Sequence, residues 1–344
     1  MILENAIESF SNDRPLVTFA LLSYNQEKYI RESLEAAFSQ TYGNMEILVS
    51  DDCSADNTFE LISELCKNYT GPHRLVINRN PKNLGLGGHI NTVLGMANGE
   101  LVLFAAGDDV SEASRADEIV NFWLHGNKKL DSIWSDVYII DENGVLLGGK
   151  SSPASGESAR AQTQNMVLSL MGCSHATTKR LYEKFGALRA DIVYEDRAIA
   201  FRALWSGGIG HIGKPLVSYR IHQGSITGQA EAKNDHESAV NLLRGYRVHL
   251  RRAYSVIQGY KADAAKLNAE FRTELADTLE IMERANKVET LLCSAVFSDR
   301  LSGLRMYIFG RRACVKSAVG NIVKLVSPIL WFRLKVIRSR NLSS

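Results

Sequence analysis

Four short apolar runs punctuate the first third of the chain, and the first three are each followed by a segment of helical periodicity. Residues 16–22 (LVTFALL) are almost continuously apolar, the pattern of a strand buried on both faces. Residues 27–39 place Ile30, Leu34, Ala37 and Phe38 on one side of a helix that Asn25 is positioned to cap. Further strands are expected at 46–49, 75–77 and 101–105, with helices at 59–69 and 86–97 between them. This alternation predicts a parallel sheet covered on both faces. Open sheets of that kind bind ligands beyond the carboxyl ends of their strands.

The rest of the chain is less regular. A hairpin is expected from 132–140 and 144–147 around Asp141-Glu142-Asn143-Gly144. Short helices are expected at 179–185 and 196–205, and a last strand at 216–219. Beyond residue 230 the texture is helical only. Leu267, Phe271, Leu275, Met282, Ala285, Val288, Leu292 and Val296 fall at intervals of three, four or seven, which predicts one long amphipathic helix over 261–298. Its apolar stripe would pack on the body or on a second copy of the chain. The expected organisation is therefore 1–230 as the catalytic domain, 231–299 as a helical extension and 300–344 as a tail.

Composition narrows the class. Of 344 residues, 45% are apolar and 23% charged, which excludes a disordered chain and a small disulfide scaffold. The 5 cysteines are scattered with no C-x-x-C pair, which fits a reducing, cytoplasmic setting. Residues 1–12 carry Glu4 and Glu8 and do not read as a secretory signal. The net charge of +2 hides an asymmetry: the last 45 residues hold ten Lys or Arg and no acid, leaving −8 for the first 299. Basic residues there alternate with apolar ones (Ile329, Leu330, Trp331 and Phe332 before Arg333), and no uncharged run is long enough to span a bilayer. The tail is expected to lie on an anionic membrane surface, on the inner face of the cell membrane. No nucleic-acid-binding fold accompanies the charge, so nucleic acid is not an expected partner.

The residues that can carry chemistry cluster just past strand ends. Asp51, Asp52 and Asp56 fall within six residues after the second strand, where mutual repulsion must be offset by a cation or by hydrogen-bond donors. Gly107-Asp108-Asp109 follows the fourth strand, and two carboxylate clusters at one sheet edge can hold Mg²⁺ or Mn²⁺. Glu195-Asp196 opens a helix and offers a general base. Arg220 and His222 could contact a diphosphate or the metal. Each cluster also has a plain structural reading: a turn, a helix cap, a core histidine. Gly85-Leu86-Gly87-Gly88 lacks the spacing of a dinucleotide fingerprint, and the stretch 208–214 has Walker A spacing but Pro215 where Ser or Thr is required.

In their order and spacing, Ser23-Tyr24-Asn25, Asp51-Asp52-x-Ser54-x-Asp56-x-Thr58, Asn80-x-x-x-Leu84-Gly85, Gly107-Asp108-Asp109, Glu195-Asp196 and Tyr219-Arg220-x-His222 resemble the family-two glycosyltransferases of the GT-A fold. The resemblance spans 16–227. It implies a GT-A-type Rossmann-like domain, an inverting transfer and a nucleotide-diphospho-sugar donor. Ser23, Tyr24, Asn25, Asp51, Asp52, Gly85, Gly107, Asp108 and Arg220 would bind that donor. Asp108, Asp109 and His222 would hold Mn²⁺ or Mg²⁺, and Asp196, with Glu195 beside it, would be the base. The acceptor would be a glycan or lipid-linked sugar of a surface polysaccharide pathway. Ala106 stands where many members carry the first aspartate of Asp-x-Asp-Asp. Two rival readings remain at this stage: a non-catalytic sugar-nucleotide-binding module and a sugar-nucleotide pyrophosphorylase.

Overall fold

The computed structural model describes residues 14–150, 163, 172–222 and 236–293. The chain divides into two compact units, one formed by 1–156, 169–190 and 202–220, the other by 157–168, 191–201 and 221–344.

The first unit is built on a nine-stranded sheet of order β3-β2-β1-β4-β8-β6-β9-β5, with β7 paired to β6. Its first four strands are β1 (Val17–Ser23), β2 (Met45–Asp51), β3 (Arg74–Arg79) and β4 (Leu101–Ala106). They are mutually parallel, and the register aligns their carboxyl ends, Ser23 against Asp51 and Leu22 against Ala106. The helices between them are α1 (Ile30–Phe38), α2 (Thr58–Lys67) and α3 (Gly85–Met96). Every residue of β2 is buried, as expected for a strand packed on both faces. The core gathers Phe19, Leu21, Ile47, Leu103 and Trp123 with Ile30 and Leu34 of α1. These two fall four residues apart, the spacing of one helix face.

The second half of the sheet is mixed. β5 (Val110–Ser111) pairs antiparallel with β9 (Ile209–Arg220), and β6 (Ser132–Ile140) runs parallel to β9. β7 (Leu146–Lys150) folds back on β6 as a hairpin, and β8 (Ala176–Thr178) joins β4 to β6. Helices α4 (Arg115–His125) and α5 (Lys179–Phe185) complete this unit.

In the second unit, α6 (Glu195–Leu204) contributes its first seven residues, and α7 (His236–Ala264) and α8 (Ala269–Leu292) run antiparallel. Asn286 donates to the Leu250 carbonyl at 3.0 Å, and Lys261 pairs with Glu283 at 2.7 Å. Phe201 stacks on Tyr260, ring centroids 4.2 Å apart.

Three expectations need correction. The single helix over 261–298 is two helices, broken after Ala264, because the Asn268 side chain accepts from the Phe271 N–H and starts α8 anew. The apolar period runs through that turn and so conceals it. Asn25 does not cap α1: the helix starts at Ile30, and Asn25 sits at φ 52° with its side chain accepting from the Ala55 N–H. The last strand extends back to Ile209: residues 209–212 pair with β6 and the register then shifts past Gly213 and Lys214, so glycines and a bulge interrupt the apolar signature. No helix among the described residues is long and apolar enough to cross a membrane. The basic tail lies outside the described residues.

Candidate active site

The loops after β1 and β2 are laced together by side chains reaching across to backbone. The Asn25 N–H donates to Ser54 Oγ (2.9 Å), the Gln26 N–H to Thr58 Oγ1 (2.8 Å) and the Glu27 N–H to Asp56 Oδ2 (3.2 Å). In return the Asn57 N–H donates to Glu27 Oε2 at 3.0 Å. Asn25 and Cys53 both adopt positive φ, at 52° and 60°. Left-handed backbone disfavours residues other than glycine, so these bonds hold a conformation the chain would not choose alone.

Within that lacework Asp51 is spent internally. Its side chain is 0% exposed and accepts from the Ser54 N–H (2.9 Å), the Ser54 hydroxyl and Ser23 Oγ (3.3 Å), with Arg79 Nε at 3.7 Å. Asp56 turns the chain into α2 by accepting from the Thr58 N–H at 3.1 Å. The expected repulsion among the three carboxylates is thus offset by protein donors. Asp52 is held from another side: Oδ1 accepts from Asn80 Nδ2 (2.8 Å) and from the Leu84 N–H (2.9 Å). Gly85 follows at φ 69°, a conformation that favours glycine. The motif Asn80-x-x-x-Leu84-Gly85 is therefore the cradle of Asp52. Behind it Ser50 Oγ meets Asn78 Nδ2 (2.9 Å) and His89 Nε2 (2.7 Å). Burial lowers the His89 pKa against the raising effect of Asp52 and Asp51.

The loop after β4 reaches the same rim. The Gly107 N–H donates to the Leu22 carbonyl at 2.8 Å, and a Cβ there would push aside the end of the Gln26 side chain and crowd Ile30 and Ser23, so glycine eases the approach of the two loops. Asp108 is half-buried at the rim; Asp109 turns inward, 4% exposed. Asp109 Oδ1 accepts from the Arg220 N–H at 2.8 Å, while Oδ2 has no hydrogen-bond partner. Burial, then the charge of Asp108, holds the Asp109 carboxyl well above the usual range. Arg220 is 1% exposed, and its guanidinium is engaged inside the protein. Nε donates to the Asp108 carbonyl (2.9 Å), Nη1 to the carbonyls of Asp141 (3.4 Å) and Glu142 (3.3 Å), and Nη2 to Glu32 Oε2 (2.6 Å). Arg220 thereby fixes the loop that carries Asp108, a role that differs from the expected diphosphate contact. Glu32, which closes this clamp, carried no signal in the sequence beyond its place on an amphipathic helix. Beneath the loop Arg115 is fully buried and donates to the Phe104 carbonyl at 2.7 Å. His175 lies in the same interior, its pKa pushed down to about 3 by burial and then by the Arg115 charge.

Ser23, Asn25, Asp51, Asp52, Gly85, Gly107, Asp108, Asp109 and Arg220 thus come together at one carboxyl edge, with Tyr24 exposed beside them. Glu195, Asp196 and His222 belong to the second unit. There Asp196 Oδ1 accepts from the Arg197 N–H at 2.7 Å, and burial raises its pKa. Burial and then the Asp196 charge push Glu195 up to about 8. A carboxylate raised in this way is tuned toward proton transfer near neutral pH. Among the described residues no group of three His, Cys, Asp or Glu is placed to hold a metal ion. That does not conflict with Mg²⁺ or Mn²⁺ chemistry, since Mg²⁺ is commonly bound by one or two carboxylates plus the phosphates of a substrate.

A parallel sheet with a carboxylate-bearing, glycine-gated rim is the architecture of a nucleotide-binding α/β protein. Residues 18–197 match the model of glycosyl transferase family 2, and the chain belongs to that family. It is 27% identical over 242 residues to WfaP of Escherichia coli, named UDP-Glc:alpha-D-GlcNAc-diphosphoundecaprenol beta-1,3-glucosyltransferase, covering 69% of this chain and 89% of that one. It is 31% identical over 137 residues to an uncharacterized glycosyltransferase of Methanocaldococcus jannaschii, where the match spans 39% of this chain and 46% of the relative. Among solved structures, S. aureus TarS 1–349 in complex with UDP superposes with a TM-score of 0.58 at 16% identity, covering 96% of this chain and 92% of that one. The mannosyltransferase PcManGT from Pyrobaculum calidifontis, in complex with GDP-Man and Mn2+, gives 0.53 at 17% identity, with 96% and 88% covered. At such identities the likeness speaks for the fold, which is that of the GT-A glycosyltransferases with added C-terminal helices.

Proposed function

We propose that the protein transfers a sugar, with inversion, from a nucleotide-diphospho-sugar to an acceptor hydroxyl. The observation that carries this reading is the placement of Asp52 and Asp108 at one sheet edge, the Asp52 carboxylate held by Asn80 and the Leu84 N–H and the loop of Asp108 held through its carbonyl by Arg220. The nucleoside would lie along Ser23, Tyr24 and Asn25, with Asp52 accepting from base or ribose donors. Asp51 supports that pocket from within. Asp108 is the carboxylate best suited to share a divalent cation with the donor's phosphates. Asp109, buried against the Arg220 backbone, positions it, and His222 is the further ligand the family resemblance implies. Such a cation would offset charge on the departing nucleoside diphosphate.

Asp196 is assigned as the base. It takes the proton from the acceptor hydroxyl as the oxygen attacks the anomeric carbon, and the bond from that carbon to the diphosphate oxygen breaks on the opposite face. Glu195, protonated near neutrality, leaves Asp196 without a second negative charge beside it. The likeness to WfaP supports a lipid-linked acceptor, and the ten cations of the tail support attachment at an anionic membrane surface. The test is transfer from UDP-glucose and GDP-mannose with Mn²⁺, before and after EDTA. Asp196→Asn should lower transfer by about 10² to 10⁴ with donor affinity unchanged. Transfer at the wild-type level in Asp196→Asn would remove that residue from the chemistry.

A further inference from the structure

The β6–β7 hairpin ends in three consecutive large apolar residues that water touches freely. Val145 is 58% exposed, Leu146 61% and Leu147 61%, with Tyr138 on the neighbouring strand at 38%. The turn before them is polar (Asp141, Glu142 and Asn143), and the three apolar residues follow it where the register of β7 shifts past Leu147, forming a compact apolar patch just behind the turn. Exposed apolar strand ends are ordinarily blunted with charge.

The tip is also rigidly presented. Asp141 Oδ1 accepts from the Asn143 and Val145 N–H groups at 2.9 and 2.8 Å, the Asp141 N–H donates to the Val145 carbonyl at 3.0 Å, and Gly144 turns the chain at φ 83°. The turn is fastened to the rim of the site. The Arg220 guanidinium that grips the Asp108 carbonyl also grips those of Asp141 and Glu142. An apolar finger therefore projects from the edge that carries Asp108, held by the same side chain.

We propose that Val145, Leu146 and Leu147 form a membrane-contacting finger that sets the catalytic rim against the apolar zone of the bilayer in which a lipid-linked acceptor is anchored. This rests on the lipid-linked reading of the acceptor given above. Two features favour a bilayer as the occupant. The chain carries a segment of ten cations without a single acid, complementary to anionic headgroups. WfaP is named for a diphosphoundecaprenol acceptor, whose hydrocarbon chain lies in the membrane. The finger and the tail divide the work: the tail supplies electrostatic attraction, and the finger supplies orientation through shallow apolar insertion.

The experiment is co-sedimentation of the full chain with vesicles of phosphatidylethanolamine and phosphatidylglycerol, at low salt and at about 1 M NaCl, where the Debye length of ~3 Å removes most of the tail's contribution. The wild type and a triple variant, Val145→Ser with Leu146→Ser and Leu147→Ser, are compared. The wild type should retain binding at high salt, and the triple variant should lose about tenfold of it, consistent with partial burial of three side chains. UDP-glucose binding is measured on both proteins in parallel. Equal donor binding shows that the variant is folded, and absence of donor binding in the wild type counts against the transferase reading instead. Salt-resistant vesicle binding that is the same in both proteins, or absent from the wild type, would overturn the finger. So would a change from dimer to monomer on size-exclusion chromatography with vesicle binding unaltered, which would assign the tip to a second copy.

Discussion

The acidic pairs after β2 and after β4 look alike in the sequence and end in different situations. Asp51 is wholly buried and answered by Ser54, Ser23 and Arg79. Asp108 stays half-exposed at the rim, while its neighbour Asp109 is buried with one carboxylate oxygen unpartnered. In the first pair the Asp51 charge is neutralised by protein donors and the gain is a fixed loop. In the second one carboxylate stays half-exposed at the rim, and the inward one is tied to the strand that carries Arg220. Spacing identifies where carboxylates gather; hydrogen-bond donors decide which of them is committed to structure.

The largest effect expected from this difference is on Asp108. Asp108→Ala should lower Mn²⁺-dependent transfer by roughly 10³ or more, the scale of losing several kcal/mol of charge stabilisation, with little change in thermal stability. Initial rates and a melting curve check both halves. Asp51→Asn should do the reverse. Leaving buried donors and Arg79 without a full charge should cost about 3 kcal/mol in urea unfolding, with per-molecule activity in the folded protein far less affected. Equal stability of the two variants would erase the contrast.

The smaller effects are in pH. His175 is held neutral, with a pKa depressed to about 3, so between there and its ordinary 6.5 the unfolded chain binds the extra proton. Stability of the first unit should rise with pH through that window and fall as acid is added below pH 6.5. Glu195 acts in the opposite sense. Its pKa is raised from 4.5 to about 8, the folded form binds more protons, and the second unit should lose stability as pH rises between those values. Hydrogen exchange monitored separately in β8 and α6 across pH 4 to 8 resolves the two slopes.

Much of this was legible from residues alone. The strands β1, β2 and β4 announce themselves because full burial demands continuous apolar runs, while the more exposed β3 shows only the short run Leu75-Val76-Ile77. Gly107 and Gly85 stood inside motifs for reasons the geometry makes plain: one close approach and one left-handed turn. Other features gave no local signal. The short strands β5 and β8 are defined by partners distant in sequence. Arg220 read as a ligand contact because a lone arginine in a motif carries no mark of direction. Only the positions of Glu32, Asp141 and Glu142 reveal that it points into the protein. The break between α7 and α8 escaped for a related reason, since an N-cap of one residue leaves the apolar period intact.

The central claim is that the rim bearing Asp52 and Asp108 binds a nucleotide-diphospho-sugar, and calorimetric titration tests it without depending on the acceptor. With Mn²⁺ present, wild-type protein should bind UDP-glucose or GDP-mannose with one-to-one stoichiometry, and Asp108→Ala should bind the same donor at least about tenfold more weakly. Unchanged affinity in that variant, in a protein that melts like the wild type, would contradict the account.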